Sequence, residues 1–310
     1  MAELICMGEP MLEFNQLPVG KDGRRLYLEG HGGDSSNAAI AAARNGASVA
    51  MLTALGEDRA GAAFRTLWKA EGVEDNLVRA DPAAPTGIYF VTHDEHGHHF
   101  TFHRKGSAAA RLGPRDLPED AIRAARALHL SGITLGISES SCDAALRAME
   151  TAREAGVTVS FDTNLRLRLW PLRRAAACIH AALALADIAF PSLDDAGALT
   201  GLHGPEEIAD FYLRLCPLVL LKLGAEGVLV ATRGSRARIP GFRVEAVDAT
   251  GAGDTFAGAF LARHLAGDTL EQAARYANAA AALSTRGYGA VAPIPREAEV
   301  RAFLADHPPA

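Results

Sequence analysis

The residues from Asp248 to Phe260, DATGAGDTFAGAF, combine a glycine turn with a carboxylate. Gly251 and Gly253 permit backbone conformations that gather consecutive N–H groups on one concave surface. A helix opening near Ala252 adds unpaired amides and the positive end of its dipole. Gly251, Ala252 and Gly253 thus form an anion hole suited to a phosphate or a developing oxyanion. Asp254 falls in the first helical turn, where the helix end favours the ionised carboxylate. Beside a phosphate that charge is repulsive. Facing the nucleophile, it could accept a proton as the oxygen attacks phosphorus. The competing assignment for an isolated GxGD is a helix-capping aspartate in a tight turn. No GxxxxGK[ST] segment occurs and no GxGxxG follows the first strand, which disfavours a P-loop and a dinucleotide site.

Other groups could meet a small polar ligand. Gly33 and Asp34 precede a helix with Asn37 in its first turn; they could contact ligand hydroxyls, or Asp34 or Ser35 could simply cap the helix. Arg104 follows a β run, and Arg166 follows the strand Val157–Phe161, at the sheet edge where doubly wound folds bind ligands. Each offers a fork for a carboxylate or phosphate, or else a solvated surface charge. His93, His96, His98 and His99 share a polar turn with Asp94 and Glu95. Their alternating spacing without a cysteine favours a solvated turn over a metal site. Trp68 and Trp170 read as packing residues.

Positioning these groups requires a layered scaffold. β-like runs at 4–12, 48–55, 127–133, 157–161, 188–191, 219–223 and 228–231 alternate with helical patterns at 36–45, 61–71, 141–155, 171–184 and 206–215. Several runs are apolar on both faces, as in a parallel sheet. Gly46, Gly72 and Gly156 stand where C-cap glycines belong. The alternation predicts a doubly wound, mainly parallel α/β sheet with helices on both faces, in a single domain of residues 1–310. Segments 13–31 and 86–104 break the rhythm and read as a small projecting sheet. Two Ala-rich helices, 252–265 and 270–285, close the chain before a loose tail from Asp306.

The chain has 310 residues, 49% hydrophobic and 22% charged, which is ordinary for a globular fold. Its net charge of -6 disfavours nucleic-acid binding, and scattered Lys and Arg leave no membrane-surface patch. Cys6, Cys142, Cys178 and Cys216 have no metal-ligand spacing, so unpaired thiols in a reducing compartment are expected. No signal peptide or transmembrane run is evident, and a cytoplasmic protein is expected.

The motifs resemble, in order along the chain, those of the ribokinase-like (PfkB) carbohydrate kinases. DATGAGD is similar to that family's C-terminal signature, and Gly32 to Ala39, GGDSSNAA, to its N-terminal one; GEPMLEF and KLGAEG (Lys222 to Gly227) also match. Within the family, Phe102-His103-Arg104 with Ser107-Ala108-Ala109, and Asp162-Thr163-Asn164-Leu165-Arg166, resemble elements of 2-keto-3-deoxygluconate kinases.

The resemblance implies ATP with Mg²⁺ as donor, Asp254 as catalytic base and Gly251 to Gly253 as the phosphoryl cradle. It implies sugar contacts from Gly33, Asp34, Asn37, Tyr89, Phe102, Arg104 and Arg166, under a β lid made from about 13–31 and 86–104. Nucleotide contacts would come from Asn164, Lys222, Gly224, Gly227, Gly251, Gly253 and Asn278. Asp195 would hold a metal-bound water, although Ser192 departs from the family's Asn and fits a helix cap. Asp248 would join a K⁺-type monovalent-cation loop, or serve as a turn cap. Phe102 lacks the hydroxyl of the Tyr common at its position, which leaves the role of His103 open.

The resulting expectation is a kinase acting on a primary hydroxyl of 2-keto-3-deoxygluconate, assembled as a homo-oligomer, with a dimer through the lid as one arrangement. The alternatives are a kinase of a neutral sugar such as fructose or ribose, or of a nucleoside, and a non-catalytic sugar or nucleotide sensor.

Overall fold

The computed structural model describes residues 2–20, 22–95 and 97–308. Lys21 of the expected lid segment, His96 of the histidine-rich turn and the last two residues of the tail therefore lie outside the described residues.

Thirteen strands and eleven α-helices follow one another along the described chain. First come β1 (Leu4–Met7), β2 (Met11–Gln16), β3 (Tyr27–Gly32), α1 (Asp34–Arg44), β4 (Val49–Gly56), α2 (Arg59–Glu71), β5 (Val73–Asp81), β6 (Gly87–Asp94) and β7 (Gly97–His103). Next are α3 (Glu119–Ala124), β8 (Ala127–Ser131), α4 (Gly132–Gly136), α5 (Glu139–Glu154), β9 (Thr158–Asp162), α6 (Leu172–Leu183), β10 (Ile188–Ala189), α7 (Leu193–Thr200) and α8 (Pro205–Tyr212). The remainder are β11 (Leu218–Lys222), β12 (Gly227–Thr232), β13 (Arg236–Pro240), α9 (Ala252–Leu265), α10 (Leu270–Ser284) and α11 (Glu297–Ala305).

Nine strands form one sheet in the order β13-β12-β11-β10-β9-β8-β1-β4-β5. From β11 to β5 every pairing is parallel; β12 and β13 add an antiparallel edge. Alternation along the strands sends Ile5 and Met7 to one core and Leu4 and Cys6 to the other. The first core packs α5, α6 and α8, the second α1, α2, α9 and α10. This is a ribokinase-like α/β fold, with helices on both faces as the alternation predicts.

The second sheet, β3-β2-β6-β7, draws its strands from the two irregular segments of the sequence. It differs from expectation at its entry. The run 4–12 is not one strand: β1 lies in the large sheet and β2 in the small one. The break falls at Gly8-Glu9-Pro10. A Cβ on Gly8 would lie 2.2 Å from Ser35 Oγ, and Pro10 cannot donate to a ladder. The run 127–133 also ends early, because Ser131 Oγ accepts from Ile133 N at 3.1 Å and starts α4.

Helix boundaries follow local chemistry. Asp58 Oδ1 accepts from Gly61 N at 2.8 Å to start α2, and Gly72 ends it in the left-handed conformation. Thr269 and Gln272 form a capping box on α10. Among the described residues, no helix is long and apolar enough to cross a membrane.

Candidate active site

Two helices aim their N-termini at one point. A Cβ on Gly258 of α9 would lie 2.2 Å from Ala38 O of α1, so only glycine lets the two backbones approach this closely. The contact brings together side chains 217 residues apart: Asn37 Nδ2 donates to Asp254 Oδ2 at 2.9 Å. Asp254 keeps part of its surface accessible. Even so, burial pushes its carboxyl up to about 7, Asp34 raises it further, and the Asn37 hydrogen bond opposes both. Desolvation therefore works against the helix end, which favours the ionised form, and the carboxyl is raised.

Gly251 is the N-cap of α9, with φ 76° in the left-handed region. Ala252 N donates to Ala249 O at 3.2 Å and Thr255 N to Gly251 O. Among the described residues, the amides of Gly251, Gly253 and Asp254 donate to no protein acceptor. The cluster of free donors is thus displaced from the expected trio: Ala252 is engaged and Asp254 N joins. A Cβ on Gly253 would stand 3.3 Å from Lys222 Nζ, so a cation lies beside these amides. That donor set fits a phosphate.

Asp34 stands on the other side of Asn37. Gly33, not Asp34 or Ser35, occupies the cap position of α1, with φ 102° and no side-chain cap bond. Asp34 Oδ2 accepts from Ser131 Oγ and, at 3.1 Å, from Asn164 Nδ2. Its Oδ1 and Asn37 Oδ1 are buried without partners. Two orphaned acceptors three residues apart on α1 fit a ligand that brings hydroxyl donors. Burial is the main reason the Asp34 carboxyl lies above the usual carboxylate range.

Beyond Asp34 the network turns toward the nucleotide side of the sequence expectation. Asn164, with φ 31°, donates its N–H to Asp162 Oδ1 at 3.1 Å, and Lys222 Nζ donates to Asp162 Oδ2 at 2.5 Å. Asn164 thus joins both sides. Gly224 and Gly227 bracket a short turn into β12; a Cβ on Gly227 would meet Ile239 O at 2.2 Å. Asn278 Nδ2 holds Ile239 O and Pro240 O, each at 3.1 Å.

The metal candidates differ in their surroundings. Ser192 caps α7 by accepting from Asp195 N, and Asp195 Oδ2 accepts from Leu165 N at 3.1 Å. Burial raises the Asp195 carboxyl. Asp248 ties a turn: its Oδ1 accepts from Thr250 N and Thr250 Oγ1, its Oδ2 from Gly289 N. Among the described residues no group of three or more His, Cys, Asp or Glu could hold a metal. A divalent ion here would lean on substrate phosphates, which suits Mg²⁺. His93 Nε2 lies 2.8 Å from Asn15 Oδ1 and His99 Nε2 2.9 Å from Asp94 Oδ2.

The two arginines have different partners. Arg166 is exposed, donates to Leu165 O and pairs with no carboxylate among the described residues. It lies within electrostatic reach of Asp34 and Asp195. Arg104 is bound to Glu9, with Nε 2.6 Å from Oε2 and a second contact from Nη2. In the lid, Tyr89 stacks against Phe102 at 5.6 Å and donates its hydroxyl to Glu13. His103 packs edge-on against Phe90, on the opposite face of the strand from Phe102. It does not replace the missing hydroxyl.

Glu9, Glu13, Ser131 and Asp162 were not singled out from the sequence as site residues. The available signal was position: Glu9 and Glu13 interrupt apolar runs, and Ser131 and Asp162 end strands at the sheet's carboxyl edge.

Residues 1–297 match the pfkB family carbohydrate kinases. The chain is 36% identical over 313 residues to a 2-dehydro-3-deoxygluconokinase of Thermoproteus tenax, covering 96% of this chain and 94% of that one. It is 34% identical to fructokinase-1 of Oryza sativa subsp. japonica, covering 96% of each. The fructokinase of Vibrio cholerae O395, solved with fructose, ADP and a calcium ion bound, superposes with a TM-score of 0.85 at 31% identity, covering 98% of this chain and 99% of that chain.

Proposed function

The chain belongs to the pfkB family of carbohydrate kinases, and from that premise we propose that it transfers the γ-phosphate of ATP to a primary hydroxyl of 2-keto-3-deoxygluconate. The observation that carries the reading is the junction of α1 and α9. There a carboxylate raised to about 7 stands next to free amides on one side and orphaned hydroxyl acceptors on the other.

In this reading Asp34 and Asn37 hold the sugar by its hydroxyls. Asp254 takes the proton of the attacking oxygen; a base near neutral pH balances being ionised against being basic enough. Amides of Gly251, Gly253 and Asp254, with Lys222 alongside, hold the transferring phosphoryl group in line. Lys222, Gly224, Gly227 and Asn278 border the nucleotide, and Asn164 links it to the sugar side. Mg²⁺, which Asp195 would help to hold, would supply neutralisation of phosphate charge. Asp248 keeps its loop in shape, whether or not a monovalent cation binds beside it. The β lid excludes water. The exposed side chains Leu17, Val19, Leu26 and Leu28 support a homodimer through the lid as part of the same proposal.

Arg166 is the cation available for a sugar carboxylate. A neutral sugar such as fructose is the second reading. Its support is the Glu9–Arg104 pair, which neutralises one of the two arginines a sugar acid would use. An ATP-consumption assay over 2-keto-3-deoxygluconate, fructose, ribose and adenosine separates the readings. The proposal expects the sugar acid to give the highest kcat/KM; a higher value for fructose selects the second reading.

A further inference from the structure

The described chain passes between the large sheet and the lid four times: at residues 8–10, at Gly33, at 82–86 and at 104–108. All four crossings meet at one residue. Glu9 sits on the first and is 1% exposed. Its carbonyl oxygen lies 2.4 Å from where a Cβ on Gly33 would stand, so the second crossing passes close against its backbone. Its Oε1 lies 2.9 Å from the same point on Gly87, where the third crossing enters β6. From the fourth, Arg104 donates Nε to Oε2 at 2.6 Å and Ser107 donates its hydroxyl to Oε1.

A buried carboxylate with one cationic partner resists displacement, because parting them leaves a charge without hydration. Burial pushes the Glu9 carboxyl above its usual range, while Arg104 and Ser107 pull it back. The Arg104 guanidinium in turn stands 6.0 Å from the Phe102 ring centre, and Phe102 packs on Tyr89. Movement at Glu9 therefore reaches the lid face that carries these aromatic rings.

We propose that Glu9 is the pivot of the lid: a positioning residue that holds the four crossings in one geometry and aims Arg104 at the sugar site. The inference rests on the reading that the small sheet closes over a sugar. Its charge is used inside the hinge, so Arg104 acts as an oriented donor rather than as a free cation. A lid swinging about an intact Glu9–Arg104 pair closes as one plate. Without the pair, the crossings move independently and water reaches the phosphoryl group.

Glu9→Gln keeps the size of the side chain and removes its charge. Assayed with ATP and saturating 2-keto-3-deoxygluconate, or fructose if that is the sugar turned over, it should form ADP in excess of phosphorylated sugar. The sugar KM should rise about tenfold or more and kcat should fall by less, since misplacement by about 1 Å can cost about a hundredfold in rate. The ADP-to-product ratio does not depend on how much enzyme is folded. If Glu9→Gln does not fold, Ser107→Ala decides: it keeps the ion pair, removes one bond to the same carboxylate, and should show a smaller excess of ADP. Strict stoichiometry and an unchanged sugar KM in the folded variants overturn the pivot. Asp254→Asn, run alongside, isolates the underlying reading: turnover surviving that change overturns the kinase mechanism itself, whatever Glu9 does.

Discussion

Between α1 and α9 two carboxylates, buried Asp34 and partly accessible Asp254, face the same space, and among the described residues neither forms an ion pair. At the lid crossings the buried carboxylate of Glu9 is bound by Arg104 and Ser107. Both places take charge out of water, and in both burial raises the carboxyl; they differ in what holds the charge. On the floor, hydrogen bonds from Asn37, Ser131 and Asn164 offset only part of the desolvation, and the rest appears as raised proton affinity, which a general base can use. At the hinge, an ionic partner and a hydroxyl offset part of it and tie the charge to one geometry. A raised carboxyl without an ion partner suits chemistry; one held in an ion pair suits a joint.

Removing the floor's charge should have the largest effect. Asp254→Asn should lower kcat by about 10²–10⁴-fold, the range for loss of a general base, while nucleotide binding persists. The same change should stabilise the protein. Asp254 titrates at about 7 when folded, against an ordinary value of 3.8. Between those values the folded state holds the extra proton, so the stability present below about pH 4 is lost as pH rises through 7. The variant's Tm should exceed the parent's most clearly above pH 7, and the gap should close toward pH 4. A lower Tm throughout would mean that Asp254 is held by contacts that this account omits.

Next in size are the arginines. Arg166→Met should raise the KM for a sugar acid by about ten- to a hundredfold and leave a neutral sugar nearly unchanged, as loss of one charge-assisted contact implies. Arg104→Met should weaken both kinds of sugar alike, because its charge is already matched by Glu9. Equal selectivity changes in the two variants would erase the distinction between free and compensated arginine. The smallest effect belongs to His103→Ala, on the far face of β7, with kcat/KM within about twofold, as for a residue remote from the site.

The same contrast explains what was legible in the sequence. The glycine turn at 251–253 and the segment from Gly32 to Asn37 mark helix starts, and helix starts have local signatures. Most of the strand–helix alternation was visible for the same reason. β5 was not, because an edge strand carrying Glu74, Asp75 and Arg79 has no apolar period. The break at Gly8–Pro10 was hidden inside an apolar run. Pairings such as Asn37 with Asp254 or Glu9 with Arg104 join distant segments that no spacing connects. The raised proton affinity of Asp254 was not legible either, since the helix end is a local property and burial is not.

The most direct test is the acid limb of the kcat/KM–pH profile, in the parent and in Asp34→Asn. If two carboxylates without ion partners make the base, activity in the parent should fall by half near pH 7 as Asp254 gains its proton. In Asp34→Asn the midpoint should move to lower pH, since the Asp34 charge helps to raise Asp254. An acid limb at the ordinary carboxylate value, or one that Asp34→Asn does not move, would contradict the account.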